Sequence, residues 1–405
     1  MPRGSQPGRV VKGVSIVAAL GAAGVGALLV GLWVERQSEA TLPAPTGAYA
    51  VGRALDAWTD HPHLDTLAPA PGTPREVVVW IWYPAAGPST TTYEYLPASW
   101  RTAARSNWLF TLLTRDPSRV HGHSAPGADV SPREPSYPVL ILRGGASANV
   151  TNYSTLAEDL ASHGYVVVGI DAPYRTNAVV LPDGRVVRRT PENNPELYSG
   201  AAFDRVGRKL LAAWTADIAF VLDRLELLNA SDDSGRFKGR LDLSRVGLFG
   251  HSFGGAQAAQ FCHDDRRCKA GVDVDGAPLG NVVQEGLHQP FMFLLSAHVE
   301  SNDAESQRVK ADIRSIYDRL PAPARLAVEI KGSNHFTFSD DGAVLKSAVV
   351  RRVLRMVGAL GIDGRRQLAV TAYCLNTFFD AYLKGAGAIP PAMASPSYPE
   401  VKVLE

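Results

Sequence analysis

Short apolar, β-branched stretches bounded by Gly or Pro recur along the chain, and between them apolar residues return at spacings of three and four. The first pattern predicts strands at 77–83, 139–142, 166–170, 246–249, 270–274, 291–295 and 326–330. The second predicts helices at 153–163, 206–228, 253–262, 343–360 and 365–383. Continuously apolar strands alternating with helices imply a mainly parallel sheet buried on both faces, so the expected fold class is α/β. No repeat of fixed period occurs, which excludes solenoids and propellers.

The two ends depart from this pattern. Arg3, Arg9 and Lys12 precede an uncharged run over 14–34, which as a helix spans roughly 30 Å, the thickness of a bilayer's hydrocarbon core. Glu35 and Arg36 end it. Gly21, Gly24, Gly26 and Gly31 lie inside the run; they weaken a helix in water but are common in membrane helices. No small-residue cleavage site follows closely, since Ala48-Tyr49-Ala50 is distant, so a retained signal anchor is expected rather than a cleaved signal peptide. Basic residues on its N-terminal side put the remainder outside the cytoplasm, membrane-anchored or secreted. The expected organisation is an anchor and linker over 1–42, an α/β domain over 43–385, and a loose tail rich in Pro, Ala and Ser over 386–405.

Composition narrows the function. With 405 residues, 45% hydrophobic and 20% charged, the chain can bury a large core, and disorder is excluded as a whole-chain description. A formal charge of +1 leaves no field to gather nucleic acid, and no nucleic-acid partner is expected. Three cysteines are too few for a disulfide scaffold or a structural zinc site, although Cys262 and Cys268 stand close enough to pair in an oxidising compartment. His61-Pro62-His63 and His121-Gly122-His123 lack further ligands at metal-site spacing and read as solvated loops, so no metal is expected.

Gly250-His251-Ser252-Phe253-Gly254 has the form G-x-S-x-G, with a predicted strand before it and a small-residue helix after it. That context puts Ser252 on a sharp strand-to-helix turn, where the flanking glycines tolerate strain and close approach. The Phe253 amide, at the start of a helix, has no intrahelical acceptor and can donate to an oxyanion. A serine nucleophile needs a base, which in this arrangement lies later in the chain. His288, His298 and His335 lie late enough; His335 and His298 each follow a predicted strand. For the acid, Asp275 ends the strand 270–274, Asp273 lies on the same strand face, and Glu300 and Asp303 follow the next strand. Spacing alone leaves these alternatives open.

The stretches Gly250-His251-Ser252-Phe253-Gly254-Gly255-Ala256, Ala270-Gly271-Val272-Asp273-Val274-Asp275-Gly276-Ala277-Pro278-Leu279-Gly280 and Gly332-Ser333-Asn334-His335 resemble the secreted (type II) platelet-activating factor acetylhydrolase family. Pro45-Thr46-Gly47-Ala48-Tyr49-Ala50-Val51-Gly52 and Asp159-Leu160-Ala161-Ser162-His163-Gly164-Tyr165 are similar to further segments of it. The resemblance implies the α/β-hydrolase fold, Ser252 as nucleophile, Asp275 as acid, His335 as base, and neither metal nor cofactor. It implies a second oxyanion amide at Gly145, although Arg143 stands where the family has a His before the Gly. It also implies a carboxylester hydrolase acting on short acyl groups, including those at the sn-2 position of phospholipids. A general esterase or polyester hydrolase of the same fold, an acyltransferase and a catalytically silent membrane-tethered binding module are the alternatives. Trp100 and the run Trp108-Leu109-Phe110-Thr111-Leu112-Leu113 form an amphipathic segment that suits a core helix or a lipid-facing surface.

Overall fold

The computed structural model describes residues 7–87, 91–104, 108–146, 148–297, 303–321, 324–358, 360–386 and 393–404. Ten strands form the central sheet: β1 (Ala50–Leu64), β2 (Pro74–Ala85), β3 (Ser124–Pro126), β4 (Tyr137–Arg143), β5 (Val166–Asp171), β6 (Leu241–His251), β7 (Cys268–Val274), β8 (Phe291–Ser296), β9 (Arg325–Ile330) and β10 (Val401–Leu404). Their spatial order is β10-β9-β8-β7-β6-β4-β5-β2-β1-β3. The six strands from β9 to β5 run parallel; β10 pairs antiparallel with β9, and β2 antiparallel with β5 and β1. Every predicted strand is present within these.

The helices among the described residues are α1 (Pro7–Gln37), α2 (Ala98–Ala103), α3 (Trp108–Leu113), α4 (Ser154–Ser162), α5 (Gly200–Ala230), α6 (Phe253–Asp264), α7 (Val282–Glu285), α8 (Ala304–Arg319), α9 (Ala348–Met356) and α10 (Gly364–Leu383). Strand alternation divides the core in two. Val78, Trp80 and Trp82 of β2 join Leu140, Leu142, Phe249 and Val272 under α4 and α10. Val77, Val79, Ile81 and Tyr83 join Ile141, Leu248 and Phe293 under α5, α6 and α8. Both faces are thereby dry, which is why the parallel strands read as unbroken apolar runs.

Three expectations change, and one helix is unexpected. The helix expected over 343–360 is only Ala348–Met356, because the chain turns at Asp340–Gly342 and Ser347 caps the later start, its Oγ accepting from the Val350 amide. The linker after α1 is laid down on the domain: Ala40 and Thr41 pair with Val120 and His121, and Leu42 is buried. The tail ends in order, since Val401–Leu404 adds an edge strand and Glu400 pairs with Arg366 at 2.7 Å. Helix α8 was not expected, as Ile313 and Ile316 are its only fully buried side chains and give too thin an apolar stripe. Cys262 and Cys268 form a disulfide joining the end of α6 to the start of β7.

Candidate active site

Parallel strands deliver their following loops to one edge of the sheet, and the candidates follow β4, β6, β7 and β9 at that edge. Ser252 sits between β6 and α6 at φ 57°, ψ −123°, one of three non-glycine residues with positive φ among those described. The turn demands glycine on both sides. A Cβ on Gly250 would lie 2.3 Å from the Gly254 backbone, and one on Gly254 would lie 2.4 Å from the Arg143 carbonyl oxygen. The Ser252 amide donates to the Val274 carbonyl at 2.9 Å, which ties the elbow to the strand that carries the acid candidates. Phe253 is the first residue of α6, so its amide is one of the donors a helix start leaves without an intrahelical acceptor.

Asp275 is a second strained residue, at φ 54°. One carboxylate oxygen accepts from the Ser296 amide at 2.7 Å and the other meets His335 Nδ1 at 2.7 Å. Burial alone would raise this carboxyl; the His335 hydrogen bond and charge, with the Ser296 amide, hold it below its ordinary value. His335 opens a single 3-10 turn, His335–Phe338, capped by Asn334, whose side chain accepts from the Phe336 amide at 3.0 Å. Gln367 of α10 holds that loop from behind. Its Oε1 accepts from the Asn334 amide at 3.1 Å, and its Nε2 donates to the Asn334 carbonyl at 2.9 Å. Gln367 was not found from sequence, since nothing local marks a helix residue as a brace for a distant loop.

The competing residues go elsewhere. Asp273 is fully buried beneath the elbow; Oδ1 accepts from the Gly276 amide at 2.7 Å, and Oδ2 has no partner among the described residues. Burial, with the Asp275 charge adding to it, pushes this carboxyl up to about 8. Asp303 caps α8, accepting from the Glu305 and Ser306 amides. His288 is exposed, and His298 and Glu300 lie outside the described residues.

The Gly145 loop lies against the elbow: a Cβ on Gly145 would be 3.4 Å from the Ser252 Cβ. Its amide donates to the Tyr153 hydroxyl at 3.2 Å, and that oxygen lies 2.9 Å from His251 Nδ1. The Tyr153 hydroxyl thus bridges the Gly145 amide and the His251 ring. Burial, followed by the neighbouring His335 charge, pushes His251 down to about 3, so it is neutral beside the His335 ring, 4.6 Å away between centroids. Arg143 takes no part in this loop's donors. Its guanidinium is buried over the Trp214 ring at 3.7 Å and donates through Nε to Gln257 of α6 at 2.7 Å. It therefore joins β4 to α6 from the far side. Ser252, His335, His251, Tyr153 and Gly145 all line one cavity of about 740 Å³. Among the described residues no group of three His, Cys, Asp or Glu side chains could hold a metal ion.

A family model described as platelet-activating factor acetylhydrolase, isoform II, matches residues 35–179 and 215–384, a span that includes Ser252, Asp275 and His335. The chain belongs to this family. Membership in the isoform II family makes it a carboxylic ester hydrolase of α/β-hydrolase fold. It is similar to a probable 1-alkyl-2-acetylglycerophosphocholine esterase of Arthroderma benhamiae, 24% identical over 394 residues, covering 90% of this chain and 94% of that one. A platelet-activating factor acetylhydrolase of Cavia porcellus is 26% identical over 338 residues, covering 76% of this chain and 73% of that one. Among solved structures, a ferulic acid esterase from Streptomyces cinnamoneus superposes with a TM-score of 0.72 at 26% identity, covering 91% of this chain and all of that one.

Proposed function

We propose that the chain hydrolyses short acyl esters through an acyl-enzyme, with Ser252 as nucleophile, His335 as general base and Asp275 as the carboxylate that orients the base. The observation that carries this reading is a strained serine sharing a cavity with a histidine whose Nδ1 is held by a buried carboxylate at 2.7 Å. His335 Nε2 takes the Ser252 proton as Oγ attacks the ester carbonyl carbon. The Phe253 and Gly145 amides receive the oxyanion, Gly145 exchanging the Tyr153 oxygen for it. His335 then returns the proton to the departing alcohol. Water, activated by the same base, attacks the acyl-serine and releases the acid.

Family membership and the named relatives support phospholipids with a short sn-2 acyl group as substrates. The likeness to a ferulic acid esterase supports a second reading, a general esterase that accepts other acyl groups. Membrane anchoring is supported by α1, whose segment Ala19–Gln37 is long and apolar enough to cross a bilayer and is almost wholly exposed. The end of α1 is built into the domain. Glu35 accepts from the Ser347 hydroxyl and the Ala348 and Val349 amides at the start of α9, and Arg115 donates to its carbonyl at 3.1 Å. Arg36 donates to the Thr111 and Thr114 carbonyls at 2.7 and 3.0 Å, and it also lines the active-site cavity. The cavity thus opens beside the end of the anchor, an arrangement suited to ester groups drawn from the bilayer surface. The Cys262 to Cys268 disulfide fits an extracytoplasmic setting.

Ester hydrolysis over a panel varied in acyl length and alcohol, measured for the native chain and Ser252→Ala, tests the reading. The expected result is activity on short acyl esters that falls on the order of 10⁴–10⁶-fold in the variant, with an unchanged melting temperature. Near-native activity in Ser252→Ala would overturn it.

A further inference from the structure

Among the described residues four cations stand on the wall of the active-site cavity: Arg36, Arg101, Arg189 and Lys346. Three of them are tied to segments other than the oxyanion loop. Arg36 is fixed by two main-chain carbonyls, Arg101 by Glu94 at 2.9 Å and the Leu96 carbonyl, and Lys346 by Asp341 at 2.9 Å. Arg189 differs in position. It follows the short strand Val186–Arg188, and its Nη1 donates to the Ala146 carbonyl at 3.3 Å, one residue beyond Gly145. The guanidinium therefore sits beside the loop that receives the oxyanion. Its side chain is only 14% exposed, whereas its ion-pair partner Glu196, 3.7 Å away, is 58% exposed. An ion pair with one partner in water is weak, so an incoming anion can compete with Glu196 for the guanidinium.

We propose that Arg189 is a specificity-determining residue that binds the phosphodiester of the ester's alcohol half. In a glycerophospholipid the sn-2 acyl oxygen and the phosphodiester hang from adjacent glycerol carbons. A phosphodiester is thus a short reach from an acyl carbonyl held between Ser252 and the Gly145 amide. A guanidinium matches two phosphate oxygens with parallel N–H donors, and in a half-buried site such bonds are about twice as strong as neutral ones. This inference rests on the ester hydrolase reading above and adds the group on the substrate that the site distinguishes.

The test uses a matched pair of soluble substrates, a short-chain 1-alkyl-2-acetylglycerophosphocholine and the 1-alkyl-2-acetylglycerol that lacks its headgroup. The readout is the ratio of their kcat/KM values in the native chain, Arg189→Gln, Arg189→Lys and Glu196→Gln. Arg189→Gln is expected to lower the ratio of phosphodiester to uncharged substrate by about 10- to 100-fold, and Arg189→Lys by less. Glu196→Gln, which removes the competing carboxylate, is expected to raise the ratio a few-fold. Equal losses on both substrates in Arg189→Gln would mean that Arg189 only braces the Ala146 loop, and an unchanged ratio that it reads nothing; either overturns the proposal. A native chain that hydrolyses the uncharged ester with no Arg189-dependent ratio refutes this inference alone. One that hydrolyses neither substrate refutes the ester hydrolase reading, and this inference with it.

Discussion

Replacing Asp273 with Asn is expected to reverse its effect on stability across the pH range. In the folded chain burial keeps this carboxyl protonated up to about 8, while in the unfolded chain it ionises near its ordinary value of 3.8. Between those two values the unfolded state has lost the proton and the folded state has not. The folded state is therefore penalised by up to ~1.4 kcal/mol for each pH unit, reaching on the order of 5 kcal/mol near pH 8, and the penalty vanishes below pH 4. Asn does not ionise. Its Oδ1 can still accept from the Gly276 amide, and its Nδ2 carries two N–H groups where the protonated Oδ2 carries one unpartnered O–H, so the extra buried donor adds a pH-independent cost of ~1–3 kcal/mol. The variant should thus be less stable than the native chain below about pH 4.5 and more stable above about pH 6. Urea unfolding of both chains from pH 4.5 to 8.5 measures the difference, in which other titrating groups largely cancel. A difference in unfolding free energy that stays flat with pH would refute the reasoning, because it would mean that Asp273 ionises alike in both states.

Asp275→Asn should keep the fold and lower kcat by about 10⁴-fold, since His335 loses the partner that fixes its tautomer, whereas Asp303→Asn should leave kcat unchanged and cost at most ~1 kcal/mol as a weakened helix cap; kcat on a soluble ester with a urea midpoint separates them. Replacing Cys262 and Cys268 together by Ser should lower stability by ~2 kcal/mol, the loop-closure value for so short a loop, and leave ester hydrolysis intact, as read by melting temperature and kcat. A chain beginning at Leu42 should be soluble and hydrolyse soluble esters, but with a lower melting temperature, because Ser347, the start of α9 and Arg115 all lose Glu35.

The parts of this molecule legible in its sequence are those whose cause is local. Val246 to Phe249 followed by Gly-His-Ser-Phe-Gly shows a strand, an elbow and a helix start because each residue's constraint comes from its immediate neighbours. The long strand β1 was missed because Asp56, Asp60, His61, Pro62 and His63 interrupt its apolar alternation, and it pairs with β2 nonetheless through main-chain register. Spacing left Asp273 and Asp275 as alternatives and the resemblance implied Asp275; in the structure their neighbours differ. One turn of positive φ brings Asp275 out to His335, and Asp273 stays under α6 with the Gly276 amide. Tyr153 over Gly145, Arg143 turned towards Gln257, and Gln367 behind His335 are meetings of residues far apart in the chain, and no spacing foretells them.

The central claim is that Ser252 is the nucleophile and that His335 activates it. Labelling the full chain with a fluorophosphonate and locating the adduct by peptide mass analysis tests it most directly. The account predicts one adduct per chain, on Ser252, lost in Ser252→Ala and slowed by orders of magnitude in His335→Ala. Ester hydrolysis that persists with Ser252 unlabelled, or an adduct on another residue that abolishes activity, would contradict it.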